Sequence, residues 1–225
     1  MIYYVRKTIK SPRRVVCHFV EITQPVRVYL NAERKAYRPG EFCRKHSLDI
    51  AINTNFFEKD LRPIGLYQSG KERLANPADG QWSLCFHDAV DGGVILLPSV
   101  EAAALPLDPA GAIVSGYPIV LDGQVKTSSE QRFNLTLMGL TASKTLVLCV
   151  IESNPWGSPG LTIREAAEYL LEMGIVWAVH MDCGSSTLLG TNIRLLNCPS
   201  TRILKQRLTV PWINPVPTLI GFEQP

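Results

Sequence analysis

The chain has 225 residues, 46% of them hydrophobic and 19% charged, with a net charge of +3. That balance excludes a disordered chain and allows one large domain, 1–225, with a sizeable core of its own. The charge excess is small and lies mainly at Arg6, Lys7, Lys10, Arg13 and Arg14. No aromatic residues interleave with these bases as in a single-strand platform, so specific nucleic-acid binding is not expected.

The N-terminal segment lacks an apolar stretch before a cleavage site, and no run of about 18 apolar residues occurs. A cytoplasmic protein with no membrane partner is therefore expected. Six cysteines, at 17, 43, 85, 149, 183 and 198, lack CxxC spacing and read as free thiols.

In chain order, short β-branched or aromatic runs bounded by Gly, Pro, Asn or Asp predict strands. They are Val15–Val20, Val26–Leu30, Ile50–Ile52, Trp82–Phe86, Gly93–Leu97, Ile113–Leu121, Leu146–Ile151, Ile175–Val179 and Leu208–Val210. A short helix is expected over Glu41–Ser47, after Pro39-Gly40. A longer one is expected over Ile163–Met173, capped by Thr162, with Glu165 in its first turn and Gly174 ending it. Asp122-Gly123 is a hairpin turn. Residues 153–161 read as a loop. The prolines at 211, 215 and 217 mark an edge strand and its turns. The class is α+β: a single compact domain of mixed, mostly antiparallel sheet with few helices.

Chemistry concentrates at one strand end. The apolar run Ile175–Val179 leads through His180 and Met181 into Asp182-Cys183-Gly184-Ser185-Ser186. A carboxylate closing a buried strand is paired or chemically employed. Glycine relaxes the backbone beside it, and serine hydroxyls and amides can surround an anionic oxygen. Asp182 is thus the first candidate, against a bland reading as a turn aspartate. Glu152, closing Leu146–Ile151, is an acid in the same position. Asn53-Thr54-Asn55-Phe56-Phe57 follows another strand. Asn53 and Asn55 can donate and accept, which suits sugar hydroxyls or an acetamido group, or else they stabilise a turn over core phenylalanines.

Metal fragments are weak. Cys43-x-x-His46, Cys85-x-His87 and His180-x-Asp182-Cys183 lack structural-zinc spacing, and no HExxH occurs. A Cys183–His180 dyad would need the turn to bring the pair together. No GxSxG elbow, P-loop or dinucleotide fingerprint is present. No cofactor is expected, though a hard cation at Asp182 stays open.

Five segments in order resemble the phosphodiester glycosidase family, to which the lysosomal uncovering enzyme belongs. Asn53-Thr54-Asn55-Phe56-Phe57 is similar to its Asn-Gly-Gly-Phe-Phe element, and Pro63-Ile64-Gly65 to its Pro-x-Gly strand. Gly116-Tyr117-Pro118 through Gly123 resembles its Gly-Gly-Pro strand, Gly160-Leu161-Thr162 its Gly-Leu-Thr helix start, and Asp182 through Ser186 its Asp-Gly-Gly-Gly-Ser loop. The span is roughly 50–190, and the short chain looks like bacterial or phage members. The family's Arg-Thr pair before a glycine is Leu135-Thr136 before Gly139 here, and Arg132 is out of register.

The resemblance implies cleavage of the bond between an anomeric carbon and phosphate, in a sugar phosphodiester or a nucleotide-sugar-like substrate. Asp182 would be the central carboxylate and Glu152 its partner. Asn53 and Asn55 would orient the sugar, while Thr136, Gly184, Ser185 and Ser186 would hold phosphate. The expected partner is a small sugar phosphate or nucleotide. The alternative is a non-catalytic protein that captures such a ligand, and a third reading is a scaffold with no ligand at all. The sequence sets no oligomeric state.

Overall fold

The computed structural model describes residues 1–9, 14–23, 27–86, 93–106, 108–154, 157–203, 208–211 and 213–224. Val26, His87, Pro155, Trp156, Lys10 and Arg13 lie outside them. The elements, in order, begin with β1 (Ile2–Ile9), β2 (Val15–Ile22), β3 (Arg27–Leu30), α1 (Pro39–His46), β4 (Ile50–Asn53), β5 (Tyr67–Ser69) and β6 (Glu72–Ala75). Next come β7 (Trp82–Phe86), β8 (Val94–Pro98), α2 (Ser99–Ala102), β9 (Ala112–Leu121), β10 (Gln124–Val125), β11 (Leu135–Thr141) and β12 (Leu146–Ile151). The chain closes with α3 (Ile163–Glu172), β13 (Ile175–His180), β14 (Leu189–Thr191), β15 (Ser200–Ile203), β16 (Leu208–Pro211) and β17 (Leu219–Glu223).

One large sheet runs β1-β2-β12-β11-β13-β9-β5-β6, with β7 joining β9 and β8 joining β7. A smaller sheet runs β14-β4-β17-β3. Every described pairing is antiparallel. The fold is therefore the α+β, mostly antiparallel single domain that the strand-rich pattern predicts.

Two cores follow from strand alternation, in which successive side chains face opposite sides. On one face of the large sheet, Val20, Leu148, Met138, Val179 and Leu84 meet Ile50, Ile52, Ile220 and Phe222 of the smaller sheet. On the other face, Phe19, Cys149, Leu137 and Ala178 lie under Ile163, Ala166, Ala167 and Leu170 of α3. This helix starts as its sequence dictates. The Thr162 hydroxyl accepts from the Glu165 amide at 3.0 Å, and Glu165 accepts from the Thr162 amide at 2.8 Å. Gly174, at φ 81°, ends it. Asp122 and Gly123, both at positive φ, make the β9–β10 turn.

Three segments differ from expectation. The basic N-terminus is a strand: β1 pairs along its whole length with β2, so Arg6 and Lys7 stand on a sheet edge. Helix α1 starts two residues earlier than expected, at Pro39, because proline suits a first helical turn. The C-terminal segment contributes β17, which is paired on both sides by β3 and β4. It is an interior strand that the sequence reading did not include, and its apolar run Leu219–Phe222 lies beyond the prolines and is buried; the expected edge strand at the prolines is β16, which ends at Pro211 and, among the described residues, pairs with β15 alone. All six cysteines are free. No helix among the described residues is long and apolar enough to cross a membrane.

Candidate active site

Strands β12 and β13 are each antiparallel to β11, so they run in the same direction. Their C-terminal ends, and the N-terminal end of β11 between them, share one edge of the sheet. Glu152, Asn134 and Asp182 therefore stand along that edge. The C-terminal end of β4, from the smaller sheet, reaches the same place.

The backbone of Asp182 is fastened across both sheets. Its amide donates to the Thr54 carbonyl at 2.8 Å, and its carbonyl accepts from Asn53 Nδ2 at 2.6 Å. Asn53 Oδ1 accepts from the Thr136 hydroxyl at 2.8 Å and from the Leu188 amide at 2.9 Å. Asn53, Thr54 and Thr136 are fully buried. One asparagine thus joins β4, β11 and the segments after β13, because only a side chain that donates and accepts can serve all three.

The Asp182 carboxyl is half-buried. Burial pushes its titration up from 3.8 to about 6, against the opposing effect of hydrogen bonds from the Ser186 hydroxyl and the Cys183 amide. The Cys183 amide sits 2.9 Å from Asp182 Oδ1. Gly184–Ser186 form a single 3₁₀ turn opened by Gly184 at φ 68°, a conformation that favours glycine. Ser185 is half-buried within that turn. Burial also holds the His180 imidazole below its ordinary value, so it is neutral at pH 7.

The remaining sequence-selected residues separate. Asn55 is fully buried, and its Nδ2 lies 3.1 Å from the Ile64 carbonyl, 3.4 Å from that of Gly65 and 3.2 Å from that of Leu66. Its Oδ1 accepts from the Ser115 amide at 2.9 Å. It fastens the Pro63-Ile64-Gly65 segment to β9. Glu152 is 6% exposed and two strands from Asp182. One of its oxygens meets His18 Nε2 at 2.8 Å and the Cys198 amide at 2.7 Å; the other is 3.4 Å from Asn154 Nδ2. His18 in turn meets the Tyr4 hydroxyl at 2.8 Å.

The turn does bring Cys183 within 3.9 Å of His180 Nδ1. However, the thiol donates to the Met181 carbonyl at 3.0 Å, and burial pushes it up to about 12. Both effects disfavour a thiolate nucleophile there. No three described His, Cys, Asp or Glu residues cluster as metal ligands do. Arg132 donates to the Gly160 carbonyl and pairs with Glu165 at 2.9 Å. It braces the start of α3. Leu135, at the family's arginine position, is fully buried in the core against which Cys183 packs.

Sequence reasoning missed two groups. Phe56 lies 5.7 Å from the Tyr117 ring and 5.8 Å from His180, and Tyr117 stacks on His180 at 5.6 Å. This aromatic wall stands beside the Asp182 strand end, and Tyr117 is 40% exposed. Asn134 is the second. Its Oδ1 accepts from the Ser153 amide, its Nδ2 reaches the Gly184 carbonyl at 3.2 Å, and its own carbonyl accepts from the Gly184 amide at 2.8 Å. It ties the Asp182 loop to the Glu152 strand. The available signal was its position, a lone amide opening an apolar run as Asp182 closes one.

An aromatic wall beside one carboxyl of raised pKa and a turn of amides and hydroxyls suits a polar small molecule with an anionic group. No curated protein matches the chain. Among solved structures, the zebrafish N-acetylglucosamine-1-phosphodiester alpha-N-acetylglucosaminidase catalytic domain, auto-inhibited by its pro-peptide, superposes with a TM-score of 0.76 at 16% identity. That match covers 100% of this chain and 83% of the other. A hypothetical protein from Synechocystis matches with a TM-score of 0.64 at 14% identity, over 99% of this chain and 62% of that one. These likenesses concern the fold. The family model of phosphodiester glycosidases matches residues 46–223, which contain every element of the site just described except β1 with Tyr4 and β2 with His18. The chain belongs to the phosphodiester glycosidase family.

Proposed function

We propose that the protein hydrolyses the bond between an anomeric carbon and a phosphate oxygen, in a sugar phosphodiester or nucleotide-sugar-like substrate, with Asp182 as the central carboxylate. The observation that carries this reading is Asp182 itself. It is half-buried, titrates near 6 and is fastened through its backbone to both sheets. Phosphate is a good leaving group and needs little protonation, which relaxes the usual need for two carboxylates. Ionised Asp182 stabilises positive charge developing at the anomeric carbon, or attacks it. The Gly184–Ser186 turn supplies amides and hydroxyls to phosphate oxygens. The Phe56–Tyr117–His180 wall supports the sugar.

Within this reading Asn53 and Thr136 position Asp182, and Asn55 positions the segment behind Phe56. Glu152 is a positioning residue, since both its oxygens already have protein partners. The test compares wild type with Asp182→Asn on an N-acetylglucosamine phosphodiester and on UDP-N-acetylglucosamine. Expected is a kcat/KM that rises with pH through about 6 and falls on the order of 10³-fold in the variant. Folded wild type that cleaves neither compound, or a fully active variant, overturns the proposal. Tight calorimetric binding with the ligand recovered intact would instead favour a capture protein.

A further inference from the structure

His18 and Glu152 are buried titratable groups that the chemistry at Asp182 does not use. His18 is 1% exposed and Glu152 6%, and they meet Nε2 to Oε1 at 2.8 Å. A buried pair of this kind adds little stability, because the cost of taking charge out of water offsets the attraction. Apolar side chains of similar bulk would fill the space as well. The pair therefore calls for a task of orientation.

The hydrogen bonds show what is oriented. An ionised Glu152 only accepts, so His18 Nε2 carries the proton and Nδ1 accepts from the Tyr4 hydroxyl at 2.8 Å. The same Glu152 oxygen accepts from the Cys198 amide at 2.7 Å. Cys198 belongs to a brace, residues 197–200. At its start, Asn197 accepts from the Leu189 amide at 2.8 Å and donates to the Thr187 carbonyl at 2.9 Å. At its end, the Ser200 hydroxyl donates to the Ser153 carbonyl at 3.0 Å and accepts from Asn134 Nδ2 at 2.9 Å. That Nδ2 also lies 3.2 Å from the Gly184 carbonyl. The brace thus reaches both ends of the Gly184–Ser186 turn, directly at Thr187 and through Asn134 at Gly184. Glu152 holds its middle, and β15, which starts at Ser200, lies against the turn.

Asp182 itself is fastened separately, through its backbone to Thr54 and Asn53. The brace therefore governs the turn more than the carboxylate.

Resting on the hydrolase reading above, we infer that His18 is a positioning residue for the reaction: by orienting Glu152 it fixes the 197–200 brace, and with it the Gly184–Ser186 turn beside Asp182. Tyr4 holds the imidazole from behind. The β1–β2 hairpin, which lies outside the family-matched residues, is thereby part of the support of the site.

The test separates positioning from stability. In the double variant His18→Leu/Glu152→Met both members of the pair become apolar, so no buried charge is stranded and the fold is kept. The Cys198 amide, however, loses its acceptor. Amide exchange at 197–200 and at 183–187, read by mass spectrometry, should quicken at least about tenfold, while the strands of the large sheet keep wild-type protection. On an N-acetylglucosamine phosphodiester, KM should rise about tenfold with kcat within about threefold of wild type. His18→Gln places an amide donor near the position of Nε2 and should keep KM within about threefold. His18→Asn is too short to reach Glu152 and should show the loss, so these two single variants serve if the double variant fails to fold. Unchanged exchange and kinetics in a folded double variant, equal loss in His18→Gln and His18→Asn, or a fall in kcat with KM unchanged overturns the inference. Faster exchange in both segments of the variant, when wild type cleaves no substrate, would overturn the hydrolase reading and leave the brace standing.

Discussion

Asp182→Asn should make the protein more stable at pH 7 while removing activity. The folded state raises this carboxyl from 3.8 to about 6 because burial disfavours the charged form. Between those values the folded protein holds a proton that the unfolded chain has released. Its stability therefore falls as pH rises through the window from about 4 to about 6. A rise of about two pH units in the titration point corresponds to about 3 kcal/mol. Asparagine is neutral at every pH and retains an oxygen for the Cys183 amide, 2.9 Å away in the wild type. The variant should match wild type at pH 4 and exceed it by up to about 3 kcal/mol at pH 7. Urea unfolding of both proteins at the two pH values checks this, because other titrating groups cancel in the difference. A difference that is the same at both pH values, or that favours wild type at pH 7, would refute the account of the Asp182 environment.

Asn53→Ala strands the Thr136 hydroxyl, the Leu188 amide and the Asp182 carbonyl, and should cost about 3 kcal/mol or more in urea unfolding. Thr136→Val, which removes one of those bonds, should cost about 1 kcal/mol, and a double-mutant cycle should show the two coupled. Gly116→Ala would put a Cβ 2.4 Å from the His180 carbonyl oxygen. Since backbone must shift, a loss of about 1–3 kcal/mol is expected, with lower turnover, read by calorimetry and assay. Glu152→Gln should weaken the His18 contact and cost about 1–2 kcal/mol while keeping activity within about tenfold; a loss equal to that of Asp182→Asn would instead make Glu152 catalytic.

What was legible in the sequence was local. The Asp182 strand end announced itself because an acid after six apolar or aromatic positions is chemically expensive. The caps of α3 and the Asp122-Gly123 turn were visible for similar reasons: each depends on residues within four positions. Asn53 shows where such reading stops. Its spacing beside Asn55 suggested two amides serving one ligand, yet the Asn53 partners lie 129 and 83 residues away, and the Asn55 Oδ1 partner lies 60 residues away. No periodicity encodes which distant carbonyl an amide will meet. Strand β1 was hidden for a different reason, since an edge strand rich in bases lacks the apolar alternation that marks a half-buried one. Phe56 and Tyr117 were read as packing and architecture because only tertiary contact reveals that their rings meet His180.

The two-sheet fastening of Asp182 also bears on when this protein acquires its chemistry. The strands of the large sheet can pair, and α3 can dock on one face, without the smaller sheet. The loop at 182–186 would still lack the Thr54 carbonyl and the Asn53 amide that fix it. Those contacts form only when β4 closes onto the opposite face. In a protein dominated by non-local strand pairings, such closure belongs to the slow part of folding. Recovery of turnover after dilution from denaturant would therefore lag behind recovery of strand structure, making activity a clock for the last docking event.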